Sequence, residues 1–128
     1  DDYMVKPIDV NELLLRVEAL LRRARIIYEK KLEFLHVCLD YINLTVTVDG
    51  KSQILPQKEF QLLYKLLSFP NQTFTRQQLM DELWGYDSET DIRTVDVHVN
   101  RLRDRFREIP YFQILTVRGL GYKGTIEK

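Results

Sequence analysis

The sequence predicts an α+β fold in which a leading helix, a small antiparallel sheet, three further helices and a two-stranded hairpin follow one another. Three observations predict this order. Residues 32–55 carry short segments rich in β-branched residues, residues 56–108 carry apolar residues at helical spacing, and residues 112–126 return to a β pattern around two glycines. Each change of period marks the border of a structural region.

The composition of the chain already excludes some classes of function. The 128 residues, 45% of them apolar, suffice for one ordinary domain or for a small domain and a fragment. Lys plus Arg total 19 and Asp plus Glu total 19, so a protein that coats nucleic acid by charge alone is excluded, whereas a specific binder with cations on one face is not. No membrane-length apolar run or signal peptide is visible, so we expect a cytoplasmic protein without a membrane partner.

The chain offers little for catalysis or metal binding. Its one cysteine, Cys38, lies in an apolar stretch and is expected to be a small buried residue in a reducing compartment. One cysteine and two distant histidines argue against zinc, and no other metal or cofactor is indicated. Paired carboxylates, a phosphate-binding glycine loop and a nucleophile beside a base are all missing from the sequence, so we do not expect an enzyme.

The leading helix is predicted to begin at about Val10, because Asp9 and Glu12 form a capping box. Its apolar positions have helical period: Leu13, Leu14, Val17, Leu20 and Leu21. No strand precedes this helix to cover them, so we expect self-association or docking of this face. Residues 26–32 follow as a charged linker.

Residues 32–55 are predicted to form the small sheet. Leu35–Leu39 is one strand, and Leu44–Val48 is a second strand with alternating β-branched residues. Asp49-Gly50 is a hairpin signal, after which Ser52–Leu55 returns as the partner strand.

Two helices come next. The first is predicted over residues 56–69, with Pro56 at the first helical position. Its apolar face consists of Phe60, Leu63, Leu66 and Leu67. A second capping box, Thr75 with Gln78, opens the other helix, which Gly85 ends.

The segment Ile92–Glu108 is predicted as the third of these helices, and it has two different faces. One stripe is apolar: Val95, Val99, Leu102 and Phe106. The opposite side carries Arg93, Val97, Asn100, Arg101 and Asp104, flanked by Thr94, His98 and Arg105. Such a face suits the major groove, since arginine binds guanine, asparagine binds adenine and valine touches a thymine methyl. The alternative is a solvated face on which Asp96 and Asp104 neutralise arginines of the same helix.

The last region is predicted to be a hairpin of Phe112–Val117 and Tyr122–Ile126, with positive φ at the two glycines of its turn. Arg118 lies near the tip and Lys123 lies on the returning strand. Arginine on a projecting hairpin can enter a narrow minor groove, and the alternative is an ordinary exposed turn residue.

Together the pieces describe a winged helix-turn-helix, with the hairpin as the wing, and particular motifs resemble one family. EFQLL (59–63), LWG (83–85), RTVDVHV (93–99) and VRGLGY (117–122) are similar to the OmpR/PhoB-type effector domain over residues 33–127. The resemblance implies a DNA-binding transcriptional regulator of a bacterial two-component system. Its third effector helix is expected in the major groove and its wing in the minor groove.

The resemblance also implies residue roles. Arg93 and Thr94 would hold phosphates, and Arg118 would enter the minor groove. Trp84 would meet a phosphate through its indole N–H or serve as a core anchor, which the sequence leaves open. The residues expected nearest the bases are Val97, His98, Asn100 and Arg101. Lys123 completes the predicted DNA-binding set.

At the start of the chain, DDYMVKP (1–7) resembles the end of a receiver domain, with Lys6 as its phosphoryl-switch lysine. The phosphoacceptor aspartate has no counterpart here. The resemblance divides the chain into a receiver remnant (1–25), a linker (26–32) and a winged-helix effector domain (33–128).

The expected partners follow from the same resemblance. They are promoter DNA with tandem half-sites bound by a homodimer, RNA polymerase through the Tyr86–Asp91 loop, and a histidine kinase acting only through the receiver domain. The rival hypothesis is a protein-interaction winged helix whose arginine face binds an acidic partner.

Overall fold

The computed structural model describes residues 10–24, 30–85 and 91–127, which form a mixed α+β fold with the predicted order of regions. The helices and strands are α1 (Val10–Ala24), β1 (Lys31–Phe34), β2 (Val37–Asp40), β3 (Thr45–Val48), β4 (Lys51–Ile54), α2 (Gln57–Ser68), β5 (Phe74–Thr75), α3 (Arg76–Trp84), α4 (Arg93–Arg105), β6 (Phe112–Val117) and β7 (Gly121–Ile126).

Helix α1 begins at Val10, as predicted. Lys6 and Asp9 lie outside the described residues, so the predicted capping box, which includes Asp9, lies outside them as well. The described part of the chain leaves the apolar side chains of α1 exposed: Leu13, Leu14, Leu15, Val17, Leu20 and Leu21.

The first sheet is an antiparallel meander of four strands in the order β1-β2-β3-β4, one strand more than predicted. The strand predicted over Leu35–Leu39 corresponds to β2 but begins two residues later, because Leu35 adopts a φ of 46° in the turn between β1 and β2. Positive φ is unusual for leucine. Because this position holds neither glycine nor asparagine, the sequence gives no signal for the turn. The predicted linker therefore ends before Lys31, and Leu32 is a core residue with 1% exposure.

The alternation of β2 corrects the prediction for Cys38. Val37 and Leu39 point into the core, so the cysteine between them lies on the other face and is only half-buried. Its cross-strand neighbours are Glu33 and Thr47.

Helix α2 is the centre of the core, and its apolar side chains are fully buried: Phe60, Leu62, Leu63, Leu66 and Leu67. Pro56 is the N-cap and not the first helical residue, since its ψ of 145° is extended. Tyr41 of the loop after β2 packs against the Phe60 ring at a centroid distance of 5.9 Å, which joins the first sheet to the helices. The Thr75–Gln78 capping box of α3 is confirmed, and Gly85 ends that helix with a φ of 93°.

The second sheet has three strands in the order β5-β7-β6, so the wing is anchored by a strand that the sequence analysis missed. A Cβ on Gly121 would lie 2.0 Å from the Phe74 carbonyl oxygen, so only glycine permits β5 and β7 to pair. The prediction of positive φ holds for Gly119, at 77°, whereas Gly121 is required for this close approach instead.

An ion pair fixes the end of α4 to the start of α2. Glu59 is 3% exposed, and its Oε1 accepts a hydrogen bond from Arg105 Nη2 at 3.1 Å. A carboxylate removed from water in this way depends on its cationic partner.

We predict that Arg105→Ala lowers the free energy of unfolding by roughly 2–4 kcal/mol, because it leaves the Glu59 carboxylate buried without a counter-charge. The control is Arg107→Ala, which removes an arginine of the same segment whose 2.8 Å pair with Asp104 is mostly exposed. The control should cost less than about 1 kcal/mol. Urea unfolding of both variants measures the difference, and equal losses would contradict the importance of the buried pair.

Candidate nucleic-acid interface

Helix α4 is held by its apolar stripe, as predicted. Val95, Val99 and Leu102 are at most 1% exposed. The opposite side, called the outer face here, is exposed and consists of Arg93, Val97, Asn100, Arg101 and Asp104. The helix ends at Arg105, earlier than the predicted Glu108.

The structure divides the five arginines of α4 and the turn after it into two groups. Arg103 donates from Nε to the Ile114 carbonyl at 3.0 Å and from Nη2 to Thr116 Oγ1 at 2.7 Å. Arg105 and Arg107 are engaged by carboxylates. The sequence count of five arginines therefore overstated the positive charge that is free for a ligand.

Arg93 and Arg101 form the other group. Both are exposed, and within residues 10–24, 30–85 and 91–127 no carboxylate forms an ion pair with either of them. Val97 lies between them on the outer face with 45% of its surface exposed. Among the described residues, the structure thus brings together two guanidinium groups without an ion pair, the Asn100 amide and a hydrocarbon patch. These groups complement the acceptors, donors and methyl groups on base edges.

The N-terminus of α4 is fixed by Asp91. Its Oδ1 accepts from the Arg93 backbone N–H at 2.9 Å, and its carbonyl accepts from the Thr94 N–H at 2.8 Å. A carboxylate here also interacts favourably with the positive end of the helix dipole. The remainder of the Tyr86–Asp91 loop lies outside the described residues.

His98 is half-buried beside the outer face, and its Nδ1 lies 2.8 Å from the Thr94 carbonyl oxygen. A carbonyl only accepts, so Nδ1 carries the hydrogen and Nε2 is left for another partner. Trp84 packs edge-on against the imidazole, with ring centroids 5.1 Å apart and planes at 82°.

Lys58 is a cation at this site that the sequence analysis did not identify. Its Nζ lies 5.8 Å from the Trp84 ring centroid and donates to the Leu83 carbonyl at the end of α3. The ammonium group therefore joins α2 to the same corner of the fold as Trp84 and His98.

The wing, formed by β6, β7 and residues 118–120, matches the predicted hairpin. Its turn is closed by a 2.9 Å hydrogen bond from the Leu120 N–H to the Val117 carbonyl. Arg118 is exposed in this turn. Lys123 is half-buried on β7 and lies opposite Leu115 in the register.

The alternative considered from the sequence holds for Asp104, which pairs with Arg107, but not for Asp96, which does not neutralise arginines of its own helix. Its Oδ1 accepts from Arg76 Nε of α3 at 2.7 Å and from the Tyr122 hydroxyl of β7. Burial raises the pKa of Asp96, but the hydrogen bonds from Tyr122 and Arg76 outweigh burial and hold the pKa below its ordinary value. Burial and the bond to Asp96 raise the pKa of Tyr122, so its hydroxyl remains a donor.

The described ranges contain neither a helix long and apolar enough to cross a membrane nor a cluster of three potential metal ligands.

Comparisons with known proteins place this arrangement among transcription factors. Residues 50–124 match the family described as "Transcriptional regulatory protein, C terminal". The heme response regulator HssR of Staphylococcus aureus is 46% identical over 124 residues, which are 96% of this chain and 55% of HssR. The chain therefore spans about half the length of the curated relatives it matches.

Two solved structures share the fold. The Klebsiella pneumoniae RstA DNA-binding domain, solved in complex with the RstA box, has a TM-score of 0.64 and 31% identity, covering 75% of this chain and 97% of that one. The Thermotoga maritima response regulator DrrB, an OmpR/PhoB homologue, has a TM-score of 0.62 and 30% identity, covering 98% of this chain and 56% of DrrB. These likenesses confirm the predicted winged-helix α+β fold.

The lowered pKa of Asp96 predicts a pH-dependent contribution to stability. A depressed carboxyl pKa stabilises the fold above the ordinary pKa, and this stabilisation is lost as the pH falls through the folded-state value. Tyr122→Phe removes one of the two donors, so its cost in unfolding free energy should be larger at pH 7 than at about pH 3. Denaturant titrations of the variant and the parent at both pH values measure this, and an equal cost at both would contradict it.

Proposed function

The chain belongs to the family of transcriptional regulatory protein C-terminal domains of OmpR/PhoB-type response regulators, and on this premise we propose that it binds double-stranded promoter DNA sequence-specifically to control transcription. The supporting observation is the outer face of α4, where Arg93 and Arg101 are exposed and unpaired among the described residues while the apolar stripe behind them is buried. A helix of this kind fits the major groove of B-DNA.

We assign base reading to the middle of α4. Arg101 presents a bidentate donor for guanine, Asn100 an amide for adenine, and Val97 a methyl contact for thymine. His98 contributes through Nε2, since its Nδ1 is bonded to the Thr94 carbonyl.

We assign phosphate binding to the start of α4 and its surroundings. Arg93 and Thr94 lie in the first turn of α4, where the exposed Arg93 guanidinium supplies the positive charge. Trp84 offers its indole N–H beside them, and Arg118 and Lys123 of the wing reach the neighbouring minor groove and backbone.

The wider function is proposed from family membership and from the resemblance of residues 1–25 to the end of a receiver domain. The full-length protein binds tandem half-sites as a homodimer, meets RNA polymerase through the Tyr86–Asp91 loop, and is controlled by a histidine kinase through its receiver domain, to which Lys6 belongs. The action is binding and not catalysis. A bacterial DNA target implies that it acts in the cytoplasm.

We predict that Arg101→Ala weakens binding to the preferred sequence by roughly 1–3 kcal/mol and relaxes base choice at one position, because a bidentate contact to guanine is lost. A preferred sequence is first selected from a random DNA pool and then titrated. Lys51→Ala serves as the control, since it also removes one exposed positive charge but takes it from β4 of the first sheet and not from α4. Unchanged affinity of Arg101→Ala for the preferred site would contradict the assignment, and no DNA binding by the parent even at low salt would contradict the function itself.

We predict a different signature for Arg93→Ala. A residue that binds phosphate contributes equally to all sequences, so the variant should bind every DNA more weakly and reduce the slope of log K against log salt by about 0.9. Titrations of the preferred and a scrambled duplex at several salt concentrations measure both effects. A loss confined to the preferred duplex would show that Arg93 reads bases instead.

A further inference from the structure

Both strands of the wing are tied to α4 by side chains of that helix. Asp96 holds the returning strand β7 through the Tyr122 hydroxyl. Arg103, seven residues later and hence on the same side of the helix, holds the outgoing strand β6 through Ile114 and Thr116.

Tyr122 joins these two attachments. The guanidinium carbon of Arg76 lies 5.3 Å from the Tyr122 ring centroid, and that of Arg103 lies 5.5 Å from it, so the ring contacts two cations. The Tyr122 hydroxyl and Arg76 Nε also donate to the same oxygen, Asp96 Oδ1. One phenol thus connects α3, α4 and the wing.

This cluster has contacts on both sides of the turn that carries Arg118. Arg118 follows Thr116 by two residues and precedes Tyr122 by four, so both ends of its turn are fixed to α4. Arg101, on the outer face, belongs to the same helix. The separation between the arginine in the wing and the arginine on α4 therefore depends on these side chains, in addition to the pairing of β7 with β5.

We propose that Tyr122 and Asp96 are positioning residues that set which base pairs Arg118 meets relative to those read by α4. This inference rests on the proposed DNA-binding function. Neither residue needs to touch DNA, because the pair acts through the placement of Arg118.

Because the ion pair of this cluster is partly exposed, the cluster should matter more for the position of the wing than for the stability of the fold. The side chains of Arg76 and Asp96 are 35% and 36% exposed, so their ion pair contributes little to folding. Tyr122 is 5% exposed, and Tyr122→Phe keeps its ring in the core. The Tyr122 hydroxyl donates to one atom, Asp96 Oδ1, and this bond ties β7 to α4. Its loss is expected to change DNA specificity more than the fold.

The experiment uses Tyr122→Phe, which keeps the ring and both cation contacts but removes the hydroxyl. The base pairs read by the wing are defined first, as those whose preference in a selection from random DNA disappears with Arg118→Ala. At these positions the discrimination of the parent, about fivefold or more for a base pair that is read, should fall toward one in Tyr122→Phe although Arg118 is present. Preferences that depend on Arg101 should persist.

The matched control is Tyr111→Phe, which also removes a tyrosine hydroxyl bonded to an aspartate, here Asp49 at 3.0 Å, but lies away from the outer face and the wing turn. It should select the same sequences as the parent. Asp96→Ala, the second variant, should lose the same wing preferences. It should also bind non-specific DNA more tightly, because Arg76 loses its counter-charge.

The outcomes separate the two proposals. Failure of the parent to select any sequence contradicts the proposed function. A parent that selects DNA, together with a Tyr122→Phe variant that matches Tyr111→Phe, overturns the positioning role alone. The same follows if Arg118→Ala changes no preference, or if Tyr122→Phe loses the Arg101-dependent preferences equally, which would indicate a general loss of structure.

Discussion

Burial of the apolar stripe of α4 is the constraint on which the rest of the molecule depends. Val95, Val99 and Leu102 lie in the core with α2, and each is at most 1% exposed. Rotating the helix by one residue, about 100°, would bring Asp96, Asn100 and Arg103 into their places, and burying such groups costs several kcal/mol. The hydrocarbon side therefore fixes which guanidinium groups face outward, so the core determines the binding surface.

The polar groups around this stripe extend the same constraint to the wing and to α2. Glu59 forms an ion pair with Arg105, and Ile114 and Thr116 of β6 accept hydrogen bonds from Arg103. Gly121 lets β7 approach the Phe74 carbonyl, which anchors the wing on β5. These contacts separate the arginines that stabilise the fold from those that remain available to bind DNA. Neither composition nor helical periodicity predicts which arginine belongs to which group.

The local parts of the fold were predictable from the sequence, and the parts that failed depend on distant residues. The capping box at Thr75 and the bounds of β6 follow from signals a few residues apart. The turn at Leu35 carries no such signal. Strand β5 can pair with β7 only because Gly121 has no side chain at the point of contact. The links from Asp96 to Tyr122 and from Glu59 to Arg105 join residues 26 and 46 positions apart, so only the folded chain brings them together.

The division of the arginines also explains how a chain with zero net charge can act on DNA. Four cationic residues are assigned to DNA, namely Arg93, Arg101, Arg118 and Lys123. Because Arg101 is assigned to a base and Arg118 to the minor groove, Arg93 and Lys123 are the two cations assigned to phosphates. If each neutralises one phosphate, log K falls with log salt at a slope of about −1.8, and binding weakens about tenfold between 50 and 200 mM salt. One domain therefore has little affinity for random DNA at physiological salt. Occupancy of a promoter then depends on base contacts and, under the proposed binding to tandem half-sites, on a second copy that doubles the number of phosphates held. Low non-specific affinity favours discrimination among the many competing sites of a genome.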